Sequence, residues 1–134
     1  MSNLDTQFSF PSDPHQVEKV QPFVDEVAQR YSLSSDTQGN ILVSVTEAVT
    51  NAMLHGNRGD CNKRVSISLL RHKDSLEVRV SDQGQGFDPA AVPDPTSPEC
   101  LEICGGRGLF LMRELSDECR FMQNGRTVAL RFNI

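Results

Sequence analysis

The chain is 134 residues long, 37% hydrophobic and 23% charged, which suits one domain that buries its core without disulfides and leaves little room for a separate substrate domain. Its formal charge of −5 and pI of about 5.1 oppose nonspecific binding to nucleic acid, although one local basic nucleotide pocket is compatible with them. No apolar run reaches the length of a membrane span, and Met1–Asp5 does not open a signal peptide, so a cytoplasmic protein is expected.

Residues 6–10 alternate, with Phe8 and Phe10 on one side, and read as a first strand. Asp13 is a plausible N-cap for a helix starting at Pro14. Val17, Val20, Val24, Val27 and Ala28 then follow helical spacing, so an amphipathic helix is expected over residues 14–30, kinked or split by Pro22. Ser34-Ser35-Asp36 caps a second helix over about 37–55, with an apolar stripe from Ile41 through Val45, Ala48 and Val49 to Met53. Gly56 and Asn57 both suit a left-handed C-cap.

Val65, Ile67 and Leu69 alternate, as do Leu76, Val78 and Val80, around the polar turn 71–75; this predicts a β-hairpin. Residues 82–108 are rich in glycine and proline and form an irregular stretch, longer than compact domains keep without a functional reason. A short helix follows over about 107–116. Cys119 and Phe121, then Val128, Leu130 and Phe132, alternate on either side of Asn124-Gly125, a hairpin turn signal. The order β-α-α-β-β-loop-α-β-β predicts an α/β (α+β) two-layer sandwich, with a mixed, mostly antiparallel sheet and three helices on one face, over a single domain 1–134. The four cysteines read as reduced thiols; Cys100 and Cys104 have CxxxC spacing, and Cys61 and Cys119 fall near strand ends.

Three segments carry candidate chemistry. Glu47, Asn51 and His55 recur every four residues, along one line of the second helix. A carboxylate there can take a proton, and an asparagine can ligate magnesium through oxygen while its amide reaches phosphate. The same spacing also describes an ordinary solvated helix face. Asp82-Gln83-Gly84-Gln85-Gly86 follows a strand end, where glycines let backbone approach a ligand and Asp82 offers an acceptor for an exocyclic amine. A tight turn needing glycine dihedrals would look similar. Gly105-Gly106-Arg107-Gly108 opens the last helix, whose free amides attract anions; a cap without ligand is the plainer alternative. No P-loop is present. Together the three segments suggest a magnesium–nucleotide pocket.

The segment Glu47-Ala48-Val49-Thr50-Asn51-Ala52-Met53-Leu54-His55-Gly56-Asn57 resembles the N-box of the GHKL ATPase superfamily. Asp82 to Phe87 resembles its first glycine box, and Gly106 to Met112 its second. Box order is preserved over nearly the whole chain. Size and wording are similar to the stand-alone bacterial anti-sigma factor kinases of the RsbW and SpoIIAB type. The resemblance implies a Bergerat-type ATP-binding fold with ATP or ADP and Mg2+ as cofactors. It implies Glu47 as general base toward a partner's serine or threonine, Asn51 as magnesium ligand and Asp82 as acceptor for the adenine amino group. It further implies Gly84 and Gly86 on the adenine side, Gly106, Arg107 and Gly108 bordering the phosphates, and residues 88–104 as an ATP lid. Asp94, Glu99 and Glu102 make that lid acidic.

Three functions are then weighed. The resemblance favours an ATP-dependent serine/threonine kinase that phosphorylates a STAS-type anti-sigma factor antagonist, with a sigma factor as a further partner and a homodimer as the expected assembly. Neither nucleic acid nor membrane is an expected partner. The catalytic part of a histidine kinase would need a phosphoacceptor helix pair, and the sequence around His15 does not supply one. A non-catalytic adenine-nucleotide switch remains open, with Glu47 speaking against it.

Overall fold

A computed structural model describes residues 3–84 and 107–134. The first strand, β1 (Asn3–Pro11), extends beyond the expected residues 6–10 and bulges between Leu4 and Thr6. Phe10 is fully buried, and the Phe8 ring lies 6.0 Å from it and 5.4 Å from Phe23. Asp13 caps as expected, its Oδ1 accepting from the His15 N–H at 3.0 Å.

The helix expected over 14–30 is split, and the break falls before the proline rather than at it. A 3-10 segment covers Pro14–Lys19, and α1 covers Val20–Arg30. The Pro22 ring would collide with an α-helical carbonyl at position 18, so the chain is tighter there. Within α1, Pro22 occupies the first turn, where N–H groups lack helical partners in any case. Helix α1 buries Val20, Phe23, Val24, Val27 and Ala28.

Helix α2 (Ser35–Asn51) starts at Ser34, whose Oγ accepts from the Thr37 N–H at 3.1 Å. It buries Ile41, Val45, Ala48 and Val49, together with Ser44, a polar residue within the stripe. Beyond Asn51 the helix widens into one π-helical turn, Ala52–Gly56. Its end differs from the expected left-handed cap at Gly56 or Asn57: Asn57 is right-handed, and the positive φ angles fall on Arg58 and Gly59. The wide turn consumes an extra residue, which delays the reversal.

Strands β2 (Arg64–Arg71) and β3 (Ser75–Ser81) form the expected hairpin. Helix α3 (Arg107–Leu115) leads into β4 (Glu118–Met122) and β5 (Thr127–Asn133). The β4–β5 turn is wider than a two-residue Asn-Gly loop, because Gln123, Asn124 and Gly125 all take positive φ between the paired residues Met122 and Thr127. The sheet order is β1-β2-β3-β5-β4, and each of these pairings is antiparallel. Three helices lie on one face, as a Bergerat-type fold requires.

The core is the interface between those helices and the inward rows Val65/Ile67/Leu69, Leu76/Val78/Val80 and Val128/Leu130/Phe132, all buried. Each such side chain contributes about 1.5–3 kcal/mol through burial. Leu109 and Met112 tie α3 into the same core. The packing thereby fixes the C-terminal half of α2 beside the start of α3. No helix among the described residues is long and apolar enough to cross a membrane.

Candidate active site

Glu47 and Asn51 sit one turn apart on the last α-helical stretch of α2, both partly buried. The start of α3 lies directly against them. A Cβ placed on Gly108 would stand 2.8 Å from Glu47 Oε2, 3.2 Å from Asn51 Nδ2 and 3.3 Å from Asn51 Oδ1. The glycine therefore permits an approach that any side chain would obstruct. Asn51 Nδ2 is buried and has no hydrogen-bond partner. A buried, unsatisfied donor at a helix N-terminus is what a phosphate-binding site needs before its ligand arrives. The donor set thus fits a magnesium nucleotide: Asn51 would offer oxygen to the metal and N–H to phosphate, and the α3 amides would offer further N–H groups.

Asp82 stands immediately after β3, at the next turn of the same helix. Its N–H donates to the Arg126 carbonyl at 2.9 Å, and its Oδ1 accepts from the Gly84 N–H at 2.8 Å. Gly56, in the π turn, faces the carboxylate so closely that a Cβ there would lie 2.2 Å from Asp82 Oδ2. Gly84 packs on the Gly56 carbonyl in the same manner, since a Cβ on it would stand 1.8 Å from that oxygen. Burial raises the Asp82 carboxyl above the usual aspartate range, outweighing the Gly84 N–H and the charges of Arg126 and Lys63. A half-buried carboxylate with one oxygen engaged by its own turn suits recognition of an exocyclic amine.

Glu47, Asn51 and Gly108 are thus brought together, and Asp82 and Gly84 meet at Gly56. His55, the third member of the four-residue series, is exposed in the π turn, whose wider winding ends the regular α-helical spacing. Arg107 begins α3. Gly86, Gly106 and the expected lid at 88–104 lie outside the described residues, as do Cys100 and Cys104. A cavity of about 510 Å³ bordered by Tyr31, Arg71, Lys73 and Asn133 lies at the far end of β3, away from these residues.

Two features escaped sequence reasoning. Asn57, read as a cap, is fully buried and hydrogen-bonded through its side chain to Gln83 and Arg64. Its position at a helix end gave no signal of those distant partners. On the face of the sheet opposite the described helices, Glu77 is 2% exposed and pairs with Arg79 at 2.5 Å and Arg120 at 3.1 Å. Burial opposes its ionisation, but the Arg79 hydrogen bond and the charges of Arg79, Arg120 and His72 prevail and hold the carboxyl below its usual range. The sequence reading of β3 named only the alternating Leu76, Val78 and Val80. Cys119, partly buried on β4, has its thiol pushed up to about 11 by burial, against the nearby Arg113 charge, which makes it a poor nucleophile.

A helix-borne carboxylate–amide pair facing a glycine-started helix, with an acidic strand end beside it, defines a nucleotide-binding domain of the three-box kind. A sequence profile described as histidine kinase-like ATPase domain matches residues 10–132, and the chain belongs to that family within the GHKL superfamily. The serine-protein kinase RsbW of Bacillus subtilis strain 168 is 34% identical over 133 aligned positions, spanning 92% of this chain and 82% of that protein. RsbW of Bacillus velezensis is 33% identical with the same coverage, and RsbW of Listeria monocytogenes strain HCC23 is 31% identical across 82% of this chain and 74% of that one. The fold also superposes on the crystal structure of the RsbU and RsbW domains of Rv1364c from Mycobacterium tuberculosis, with a TM-score of 0.65 at 18% identity. That alignment takes in 96% of this chain and 32% of the longer one.

Proposed function

We propose that this chain is an ATP-dependent protein serine/threonine kinase whose substrate is a STAS-type anti-sigma factor antagonist, and that it also binds a sigma factor. The observation that carries the reading is the seating of Gly108 against both Glu47 and Asn51, with Asn51 Nδ2 buried and unpartnered. The likeness to serine-protein kinases named RsbW supports the reaction class. The site belongs to a single domain spanning residues 1–134, which acts in the cytoplasm as a homodimer.

Phosphoryl transfer depends on positioning and charge neutralisation more than on covalent help from the protein. Asn51 would hold the magnesium that accompanies ATP, which would supply neutralisation of phosphate charge. Asp82 accepts from the adenine amino group, with Gly84 and Gly86 shaping that end of the site. Gly106, Arg107 and Gly108 border the phosphates, and residues 88–104 form the lid. Glu47 takes the proton from the partner's hydroxyl as its oxygen bonds to the γ-phosphorus and the bond to ADP breaks.

Glu47→Gln tests the reading, because it keeps size and removes the base. General-base assistance contributes about 10²–10⁴-fold to rate. The variant is expected to bind ATP and its protein partner normally and to transfer phosphate slower by that factor in a single-turnover assay with a purified STAS domain. Transfer at the wild-type rate would remove Glu47 from the mechanism. A wild-type protein that binds both ATP and the STAS domain without phosphorylating it would establish the passive switch.

A further inference from the structure

The pairing of β2 with β3 is regular from Arg71↔Leu76 to Ser66↔Ser81. Continued by one more rung of the same face, it would set Arg64 opposite Gln83. That rung is absent, and side chains stand in for it. Asn57 Oδ1 accepts from the Gln83 N–H at 2.8 Å, and Asn57 Nδ2 donates to the Arg64 carbonyl at 3.1 Å. The Gln83 side chain closes the circuit, its Oε1 accepting from the Arg64 N–H at 2.6 Å. Asn57 is itself anchored, since its backbone N–H donates to Ala52 O across the π turn at 2.8 Å.

A carboxamide carries the same donor and acceptor as a peptide group. Inserted between two strands, it satisfies both and holds them farther apart than a direct rung would. The backbone after Ser81 is thereby released from β2, while the Asp82 N–H still donates to the Arg126 carbonyl, and is laid against the π turn, where Gly56 meets Asp82 and Gly84. We infer that Asn57 is a positioning residue for base recognition: its side chain replaces the last β2–β3 rung and so presents the Asp82 carboxylate to the adenine. The inference rests on the reading of Asp82 as the adenine acceptor. It gives Asn57 a role in nucleotide choice without contact with the nucleotide.

The wedge accounts for its own residue types. Asn57 is fully buried, so both ends of its amide need partners, and an apolar replacement would leave the Gln83 N–H and the Arg64 carbonyl unsatisfied. Gln83 is exposed, so its side chain can be truncated with little effect on the core. These two positions separate the strength of the wedge from the stability of the fold.

The test is a double-mutant cycle on nucleotide affinity, read by calorimetry with ATP and with GTP, using Asn57→Ala, Gln83→Ala, Asp82→Asn and the pairs with Asp82→Asn. Asn57→Ala is expected to weaken ATP about 5–30-fold, the factor that corresponds to one or two lost hydrogen bonds. GTP binding should stay the same, so that the ATP preference shrinks. Gln83→Ala should give a smaller change in the same direction. On the Asp82→Asn background, neither substitution should weaken ATP further. Amide hydrogen exchange supplies a second readout, with the Gln83 N–H expected to lose its protection in Asn57→Ala. If Asn57→Ala fails to fold, Gln83→Ala and its pair decide the matter alone. Equal weakening of ATP and GTP, or effects that add to that of Asp82→Asn, would overturn the positioning role and leave the Asp82 reading intact. Asp82→Asn binding ATP as well as the wild type would overturn the Asp82 reading, and the positioning role with it.

Discussion

Gly108→Ala separates what this site needs for chemistry from what the fold needs for stability. The new methyl would stand 2.8 Å from Glu47 Oε2, where ordinary contact begins at 3.4 Å, so the carboxylate oxygen must retreat by about 0.6 Å. The clash is with the far end of a flexible side chain. It is relieved by a modest side-chain rotation, at a cost of about 0.5–1.5 kcal/mol. Against that cost, alanine in place of glycine in a helix is favourable by roughly 0.5–1 kcal/mol. The two effects nearly cancel, and urea denaturation should give a midpoint within experimental scatter of the wild type. Catalysis does not enjoy that cancellation. A misplacement of 1 Å can cost about 10²-fold in rate, so a shift of this size corresponds to a loss of roughly tenfold. Asn51, with atoms at 3.2 and 3.3 Å, is crowded by the same methyl, and magnesium-dependent affinity should fall as well. Single-turnover transfer to a purified STAS domain, measured beside nucleotide titration, checks both effects. Wild-type transfer by Gly108→Ala would refute the idea that this close approach sets the base. A loss of several kcal/mol in stability would show instead that backbone, not side chain, absorbs the overlap.

Other outcomes follow from the charges and the orphaned donor. Asn51→Ala should abolish the gain in ATP affinity on adding magnesium while leaving thermal stability nearly unchanged, and titration with and without the metal decides it. Because burial raises the Asp82 carboxyl, the folded protein holds that proton to higher pH than the unfolded chain, and its ionisation costs stability as pH rises. Asp82→Asn should therefore be as stable as the wild type or more so at neutral pH, with the difference vanishing at acid pH, yet bind ATP roughly tenfold more weakly. Glu77 has the opposite sign. Its carboxyl is held low, so its contribution is present above the ordinary carboxylate range and disappears as pH falls through the lowered value. Glu77→Gln should lose about 1–3 kcal/mol in neutral urea melts and nothing in strongly acid ones, because Arg79 and Arg120 keep water on their exposed sides.

The amino-acid sequence alone determined the elements and the three candidate segments, since both rest on local rules. Alternation marked the strands, helical spacing placed Glu47 and Asn51 on one face of α2, and glycines marked where chain must pass close to chain. Such signals reach only a few residues. What spans longer distances was decided by the tertiary structure. The π turn after Asn51 moves the helix end past the residues that seemed suited to cap it. Asn57 joins partners 7 and 26 residues away. Its side chain looks like a cap in sequence and becomes a wedge only when β2, β3 and the π turn converge. Glu77 shows the same limit. Strand alternation gives its direction, and Arg79 lies two residues along the same strand, but Arg120 on β4, separated from it by 43 residues, arrives only through sheet order. A hydrogen bond is indifferent to separation along the chain, and local pattern records only neighbours, so the candidate base and metal ligand were visible in advance while the groups that hold Asp82 in place were not.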